Sequence, residues 1–173
     1  MDLILKKCTI EDLDTLIEVS RSTFIDAFEK DNDPEDFKNY IAKAFSQDQM
    51  RLELMTPNSS FYFMVIEEFG MVGYVKINRK DAQKEQFDIN AIELERIYVM
   101  KEFQGQQIGQ EALSLVIDLS KAHGASSLWL GVWEKNLKAI EFYKRHKFKK
   151  FGEHPYLIGE DEQYDWMMRL DLV

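Results

Sequence analysis

Residues 102–113 read EFQGQQIGQEAL, and the interpretation of the chain depends on this stretch. It places Gly105 and Gly109 between an apolar run that ends near Val99 and an amphipathic run that continues to about Ala122. A helix N-terminus exposes unpaired backbone N–H groups and a partial positive charge, and glycine permits close approach to the backbone. The stretch is therefore compatible with an ordinary strand-to-helix turn and with a loop that binds phosphate groups.

Taken alone, the loop is not specific. No Gly-Lys-Ser/Thr follows, so it is not a Walker loop, and two glycines do not make the dinucleotide-binding fingerprint. The rest of the chain has to decide between the two interpretations.

The hydrophobic pattern around the loop predicts a chain that mixes helices and strands. Three amphipathic segments follow a short first strand, with Asp33, ahead of Pro34, and Ser46 as the predicted caps of the second and third. Two β-branched and aromatic runs then meet near Gly70 as a hairpin. The alternation in AIELERIYV (91–99) shifts by one residue at Glu95-Arg96, which is typical of a β-bulge. The predicted order is β-α-α-α-β-β-β-α-β-α-β-β, a mixed α/β or α+β arrangement in one domain over residues 1–173.

A second group of residues lies downstream, in WLGVWEKNLKAIEFY (129–143). Trp129, Gly131 and Trp133 share one face of a predicted strand, and a glycine between two tryptophans indicates close approach by another group. A packing role for these residues stays open.

The helix after that strand begins at Asn136, which is suited to capping it or to binding a ligand. Ala139, Ile140 and Tyr143 follow at helical spacing on the same face, which we expect to turn toward the strand. From spacing alone, Tyr143 is also compatible with an ordinary half-buried core tyrosine.

The strand LERIYV, the loop FQGQQIG and the segment LWLGVWEKNLKAIEFY resemble, in this order, the GNAT superfamily of acyl-CoA N-acetyltransferases, over nearly the whole chain. The family loop pattern is Gln/Arg-x-x-Gly-x-Gly/Ala; here Gln104 and Gly109 match it, and Gln107 replaces the middle glycine. Asn136, Ala139 and Tyr143 match the pattern of the later helix.

A narrower resemblance is to PaiA-type polyamine acetyltransferases, which acetylate spermidine and spermine. It rests on TFIDAFEKDNDPEDFKNYI near the N-terminus, on LERIYV and WLGVWEKN, and on GEDEQYDWMM near the C-terminus. Within the last of these, the acidic stretch 159–165 is compatible with an amine site and with an ordinary loop that enters the last strand. The resemblance implies that the acceptor is a polyamine.

The superfamily resemblance also implies the fold and the cofactor. We expect a mixed, mostly antiparallel sheet of about seven strands, flanked by helices and splayed between the fourth and fifth strands, with acetyl-CoA bound in the splay. The residues expected to bind it are Ile97, Tyr98 and Val99 on the fourth strand, Gln104, Gly105, Gln106, Gln107, Ile108, Gly109 and Gln110 in the loop and helix start, and Asn136, Ala139 and Tyr143 near the second helix.

The chemistry that the resemblance implies is acyl transfer to an amine. An aliphatic amine has a pKa of about 10, so it must lose a proton before it attacks. Tyr143 is the candidate general acid toward the departing thiolate, and Glu95 is a candidate general base. Glu93 is an alternative cation-binding residue, and both glutamates are also compatible with exposed strand positions.

Composition and charge exclude some classes of function and favour others. The chain has 22 basic and 31 acidic residues and a net charge of −9, which opposes nucleic-acid binding and favours solubility or a cationic substrate. The three histidines have no metal-ligand spacing, the one cysteine excludes an internal disulfide, and no apolar run reaches membrane-spanning length.

The remaining expectations concern context. We expect a cytoplasmic protein with no metal, no membrane partner and no nucleic acid. A homodimer is considered because FYFMVI (61–66) is apolar, although this run fits a central strand better. The alternatives to polyamine acetylation are a different amine, such as a protein N-terminus or an amino sugar, and a non-catalytic acetyl-CoA-binding regulator.

Overall fold

The computed structural model describes residues 1–173, arranged as seven strands and five helices joined by short 3₁₀ turns. The strands are β1 (Leu3–Lys7), β2 (Ser59–Ile66), β3 (Gly70–Arg79), β4 (Ile92–Val99), β5 (Ser127–Trp133), β6 (Lys149–Ile158) and β7 (Asp161–Asp171). The helices are α1 (Leu13–Phe28), α2 (Pro34–Ala44), α3 (Gln47–Met55), α4 (Ile108–Ala122) and α5 (Leu137–Arg145). This order is the predicted one.

The seven strands form a single sheet in the order β1-β2-β3-β4-β5-β7-β6. Every neighbouring pair is antiparallel except β4 and β5, which run parallel. The predicted fold class, a mixed and mostly antiparallel sheet flanked by helices, is confirmed. No helix is both long enough and apolar enough to cross a membrane.

Helices cover both faces of the sheet, because the strands bury apolar side chains on each side. One core joins α4 and α5 to the sheet through residues such as Leu94, Leu113 and Leu130. The other joins α1, α2 and α3 to the opposite face, around Phe37 and Tyr74. The strands in between are apolar on both faces, which is why their sequences read as nearly continuous apolar runs.

Local capping sets where the N-terminal helices start. Asp33 accepts hydrogen bonds from the N–H groups of Glu35 and Asp36 ahead of α2, whose first residue is Pro34. Ser46 accepts from the N–H of Gln49 at the start of α3. Both caps are as predicted.

The apolar run of residues 61–66 lies in the interior of the sheet. Strand β2 is paired with β1 on one side and β3 on the other, so its hydrogen-bonding edges are both used within the chain. Its side chains at Phe61, Phe63 and Met64 are buried in the two cores.

The final hairpin differs from the predicted pattern at its turn. Residues 159–165 were interpreted as a loop or as part of an amine site, but β6 continues to Ile158 and β7 begins at Asp161. Gly159 adopts a left-handed conformation (φ 62°), which permits the tight turn. The hairpin therefore extends along the sheet and brings Asp165 beside β5.

Two irregularities in β4 create the opening in which the candidate site lies. Register in the β3–β4 pair changes between Lys76↔Arg96 and Ile77↔Leu94, which leaves Glu95 unpaired, as a β-bulge does. On its other edge, β4 pairs with β5 only at Ile92 and Glu93. The predicted bulge and the predicted splay between the fourth and fifth strands are both present.

Candidate active site

The opening between β4 and β5 leads into a cavity of about 690 Å³ that passes from one face of the sheet to the other. Beyond Glu93, no residue of β4 pairs with β5, so the β4 backbone from Leu94 to Val99 presents unused hydrogen-bonding groups to the cavity. The facing wall is Leu130–Trp133 of β5, which is paired on its far side with β7. An extended ligand can add to the free β4 edge as a strand does.

The glycine-containing loop forms the wall of the cavity at the C-terminal end of β4. Gly105 and Gln107 both have left-handed backbone conformations, with φ of 78° and 64°. The N–H groups of Ile108, Gly109 and Gln110 open α4 without an intrahelical acceptor, and no other acceptor in the chain takes them. These free donors and the helix dipole make the loop suitable for an anionic group.

Other contacts fix the shape of the loop. The side chain of Gln104 donates to the carbonyl of Val99 at 3.1 Å, which ties the start of the loop to the end of β4. An added Cβ at Gly109 would meet only Val99, at 3.9 Å, so this position is open enough for close approach.

Helix α5 contributes a third wall. Asn136 caps α5 by accepting a hydrogen bond from the N–H of Ala139 at 3.2 Å. Ala139 and Tyr143 follow on the same helix face and line the cavity. Tyr143 is only 9% exposed, and burial raises its pKa above the ordinary phenol value, so its hydroxyl stays protonated and able to donate.

The structure brings the residues predicted from the sequence together around one cavity. Lining it are Glu95, Ile97, Tyr98, Val99, Gln104, Gly105, Gln107, Ile108, Gly109, Gln110, Asn136, Ala139 and Tyr143. Gln106 is the exception: it does not line the cavity.

On the opposite face of the sheet from α4, aromatic side chains surround the cavity. Phe28 of α1 packs edge-on against Trp133 and Tyr98, with ring centroids 6.1 and 6.4 Å apart. Tyr40 of α2 and Tyr156 of β6 meet through their hydroxyls at 2.8 Å. Aromatic faces attract organic cations, so this half of the cavity suits a positively charged ligand.

The β4 bulge places Glu95 and Arg96 on the same face, where they join a buried network of charges. Glu95 contacts Lys76 at 3.0 Å and Arg96 at 3.1 Å, while Glu53 of α3 contacts the same two cations at 2.6 and 2.9 Å. The Asn78 amide donates to Glu95 at 2.9 Å. Both oxygens of the Glu95 carboxylate are therefore occupied by ion pairs and a hydrogen bond within the chain.

This environment determines how Glu95 titrates. Burial alone would raise the pKa of its carboxyl, but Arg96, Lys84, Lys76 and the Asn78 hydrogen bond outweigh burial and lower the pKa to about 2. A carboxylate with so low a pKa is a poor proton acceptor near neutral pH. The structure thus argues against the general-base role considered for Glu95.

Glu93 lies away from the cavity. It is 3% exposed and accepts hydrogen bonds from Asn78 and from the N–H of Lys84, both at 2.9 Å. Burial raises its pKa, and these hydrogen bonds offset only part of that effect. The alternative of Glu93 as a cation-binding residue has no support in this geometry.

Several cavity residues were not identified from the sequence. Lys84 lies in the irregular segment 80–91, and Phe28, Tyr40, His154 and Tyr156 lie on elements distant in sequence from the loop. Asp165 lies within the acidic stretch considered for an amine site, but nothing singled it out. Their positions depend on how α1, α2 and the β6–β7 hairpin pack over the sheet. A local sequence pattern does not predict such packing.

Comparison with known proteins gives the family. The Acetyltransferase (GNAT) family model matches residues 14–148 of this chain. An uncharacterized N-acetyltransferase of Lactobacillus delbrueckii subsp. lactis, from the pepI 3′ region, is 39% identical over 163 residues, which is 94% of each chain.

More distant relatives share the same arrangement. The spermidine N(1)-acetyltransferase of Thermoplasma acidophilum is 24% identical over 152 residues, covering 86% of this chain and 89% of that one. The PaiA N-acetyltransferase of the same organism, solved in complex with coenzyme A, superposes with a TM-score of 0.74 at 22% identity over 99% of both chains. On the family match and the 39% identity to the Lactobacillus protein, this chain belongs to the GNAT acetyltransferase family and is an acetyl-CoA-dependent N-acetyltransferase.

Proposed function

We propose that this enzyme transfers the acetyl group of acetyl-CoA to a primary amine of a polyamine, by direct attack of the amine, with Tyr143 as the general acid. The observation that carries the proposal is the cavity itself. It connects a groove with a free strand edge and free helix N–H groups to a chamber walled by aromatic rings and carboxylates. Both reactants can therefore meet at the splay between β4 and β5.

The cofactor half of the cavity fits coenzyme A. The pantetheine arm carries amide groups that match the unused backbone groups of Ile97, Tyr98 and Val99. The N–H groups at the start of α4 would hold the pyrophosphate. Lys138 and Arg145 of α5 also line the cavity and would add positive charge for the phosphates.

An unpaired side-chain donor also lies in the cavity wall, next to the aromatic half. The indole Nε1 of Trp133 is buried and has no acceptor within the chain. A buried donor without a partner is costly, so its presence in a cavity wall favours a ligand that supplies an acceptor. The free strand edge and the open loop together fit the cofactor that the family uses.

Acetyl-CoA would supply an activated thioester, and the protein residues provide positioning and proton transfer. The Tyr143 hydroxyl lies in the cavity wall and remains protonated because its pKa is raised by burial. We propose that it donates its proton to the sulfur as the thiolate leaves. Backbone N–H groups of β4 near the bulge would donate to the carbonyl oxygen as negative charge develops there.

Glu95 has a supporting role in this proposal. It holds Arg96 and Lys76 in place below the aromatic chamber, and its low pKa keeps it ionised throughout the physiological range. Arg96 in turn lies within 6 Å of the rings of Phe45 and Phe61, so the network connects the chamber to the second core.

Three features support a polyamine acceptor. The aromatic walls suit an alkylammonium group, the net charge of −9 attracts cations, and a distant relative is named as a spermidine acetyltransferase. No observation in the structure favours an amino sugar or a peptide over a linear amine.

The test is release of free coenzyme A from acetyl-CoA, with spermidine, spermine and a neutral peptide as separate acceptors. We expect saturable release with the two polyamines and only background hydrolysis with the peptide. Mass spectrometry of the product, showing one added acetyl group on the polyamine, would establish the transfer. Turnover of the peptide at an equal or greater kcat/KM would contradict the polyamine assignment.

A further inference from the structure

The structure contains one carboxylate that faces the cavity and has no cation bound to it. Only two acidic residues line the cavity, Glu95 and Asp165, and Glu95 is already paired with Lys76 and Arg96. The carboxylate of Asp165 makes no hydrogen bond and no ion pair; Lys84 and His154 act on it only at longer range. His154 is itself bonded to Glu85 at 2.9 Å.

The surroundings of Asp165 leave space for a ligand directly in front of its carboxylate. Asp165 lies on β7 opposite Trp133 of β5, and its Oδ2 faces Gly131. A Cβ added to Gly131 would lie 3.4 Å from that oxygen, so the glycine keeps the space open. The close approach predicted at Gly131 corresponds to this space, which Trp133 also lines. Trp129 does not line it; its indole is buried and donates to Gln83 at 2.7 Å.

The walls of this space suit a cation. Trp133 and Tyr156 line the same part of the cavity, and Phe28 packs edge-on against Trp133. A carboxylate among aromatic rings binds an alkylammonium group through both charge and ring faces. Neutral groups would gain much less from such a site.

We propose that Asp165 is the catalytic residue that binds the acceptor's ammonium group and removes its proton. This inference rests on the proposed transfer to an amine and names the group that activates it. In the step, one N–H bond of R–NH₃⁺ breaks and the proton passes to Oδ of Asp165. The amine lone pair then forms the C–N bond as the C–S bond breaks.

The remaining protons balance as follows. After the C–N bond forms, the nitrogen releases a second proton to solvent, while the departing sulfur takes the Tyr143 proton. Asp165 loses its proton to water through the open cavity, and Tyr143 regains one, so one proton is released net for each acetyl group transferred. No further reactant is needed.

The electrostatics of the site are consistent with this role. Burial raises the pKa of Asp165, and Lys84 and His154 offset only part of the effect. Tyr156 is the other titratable group beside it, and its pKa is raised so that it remains neutral. Asp165 is therefore a stronger proton acceptor than Glu95.

The test is the pH dependence of kcat/KM for Asp165→Asn, with Asp171→Asn on the same strand as the control. Asp171 is exposed at the far end of β7 and does not line the cavity. We expect Asp165→Asn to lower kcat/KM for spermidine by about 100-fold or more at pH 7.5. Asp171→Asn should change it by less than about twofold.

The shape of the profile separates catalysis from structure. With Asp165 present, the ammonium form binds and kcat/KM levels off near neutral pH. Without Asp165, the amine must enter neutral, so kcat/KM should rise about tenfold per pH unit toward the amine pKa of about 10. A profile of unchanged shape with a lower plateau would overturn the proposal, as would a variant with activity within twofold of the wild type.

Two further measurements keep the outcome clear. An unpartnered half-buried carboxylate costs stability, so Asp165→Asn should melt at or above the wild-type temperature and bind acetyl-CoA with unchanged affinity. Gly131→Ala narrows the space in front of Asp165 and should raise KM for the amine at least about fivefold at unchanged cofactor affinity. If the wild type acetylates no amine, the proposed function itself is wrong. If the wild type is active and both variants behave like it, the proposed function stands and only the role assigned to Asp165 is wrong.

Discussion

Gln107 shows how a single residue departs from its family pattern and still keeps the backbone that the pattern requires. Its φ and ψ are 64° and 13°, in the left-handed region, immediately before α4. A side chain in this conformation costs about 1–2 kcal/mol, which explains why glycine is the family residue there. The loop of this chain therefore holds Gln107 in a conformation that glycine would adopt without strain.

Replacing Gln107 with glycine should relieve that strain. The gain is reduced by the greater freedom of glycine in the unfolded chain, which costs about 0.4–1 kcal/mol. We expect Gln107→Gly to raise the free energy of unfolding by up to about 1 kcal/mol, measured by urea denaturation. Acetyl-CoA affinity, measured by calorimetry, should be equal to or greater than that of the wild type.

Gly105→Ala is the matched opposite change. Gly105 has a φ of 78° and nothing within 4 Å of an added Cβ, so alanine adds strain without a clash. We expect Gly105→Ala to lower the free energy of unfolding by about 1 kcal/mol. Destabilisation by Gln107→Gly and stabilisation by Gly105→Ala would contradict the conformational explanation.

Tyr143 tests the proposed proton donor. Tyr143→Phe removes the hydroxyl and keeps the ring, which packs edge-on against Phe142 and Phe148 with centroids 5.3 and 5.6 Å apart. We expect kcat to fall about 100-fold or more while the dissociation constant for acetyl-CoA changes less than about twofold. Steady-state kinetics and calorimetry give the two values.

Tyr164→Phe provides the control. Tyr164 is exposed on β7, and its hydroxyl bonds only to Glu162, at 3.0 Å. This variant should keep the wild-type kcat. If Tyr143→Phe also keeps it, Tyr143 has a packing role in α5 and the sulfur receives its proton from another source.

At the scale of the element, the bulge in β4 has two effects at once. It brings Glu95 and Arg96 to one face, so that both meet Lys76 and Glu53, and it bends the strand where β4 and β5 separate. The charge network and the splay thus share one structural cause.

Removing the charge of Glu95 should destabilise the fold. Glu95→Gln leaves Lys76 and Arg96 with only Glu53 between them, and breaking a buried charge network costs about 3–5 kcal/mol. We expect a loss of at least about 2 kcal/mol in the free energy of unfolding. Glu141→Gln, in an exposed pair with Lys144, should lose less than about 0.5 kcal/mol.

The pH dependence of stability gives an independent check. The pKa of Glu95 in the folded protein, about 2, lies below its ordinary value of 4.5, so its contribution is present above about pH 4.5 and is lost as pH falls toward 2. The stability difference between wild type and Glu95→Gln should therefore shrink across this range. A difference that stays constant down to pH 3 would show that the carboxylate charge is not what stabilises the bulge.

Elements with a strong local pattern were predictable, and contacts between distant elements were not. The shift in the apolar alternation at Glu95-Arg96 predicted the bulge. The capping residues Asp33 and Ser46 predicted where α2 and α3 start. Nothing local indicated that Glu53 on α3 would reach Arg96 on β4 at 2.9 Å. The exposed strand position considered for Glu95 was wrong for this reason, since its burial depends on α3.

The same limit applies to the candidate site. The cofactor half lies mostly on consecutive elements, β4, the loop, α4 and α5, so motif spacing located it. The other half combines α1, α2, the irregular segment 80–91 and the final hairpin, which meet only in the folded chain. The sequence shows that Asp165 belongs to an acidic stretch. That its carboxylate has no ion-pair partner follows from how the elements pack and could not be predicted from the sequence.

At the scale of the whole molecule, a group of acidic residues lies near the aromatic half of the cavity. The α1–α2 connection and the β6–β7 turn come together there: Gln163 donates to Asn32 at 2.8 Å, and Gly159 lies against Asp36. These two segments, with the first turn of α2 and the first residues of β7, carry the acidic residues Glu29, Asp31, Asp33, Glu35, Asp36, Glu160, Asp161 and Glu162. Their field should attract a cationic acceptor toward the cavity.

Salt should weaken that attraction in proportion to the charge of the acceptor. We expect kcat/KM for spermine to fall about fivefold to tenfold between roughly 20 and 300 mM NaCl, because the Debye length shortens to less than about 10 Å. The decrease in kcat/KM should be smaller for spermidine than for spermine, and smallest for a simple monoamine. KM for acetyl-CoA should change equally in all three assays. Equal salt dependence for the three amines would show that the acidic segments do not guide the acceptor, and the net charge of −9 would then be explained by solubility alone.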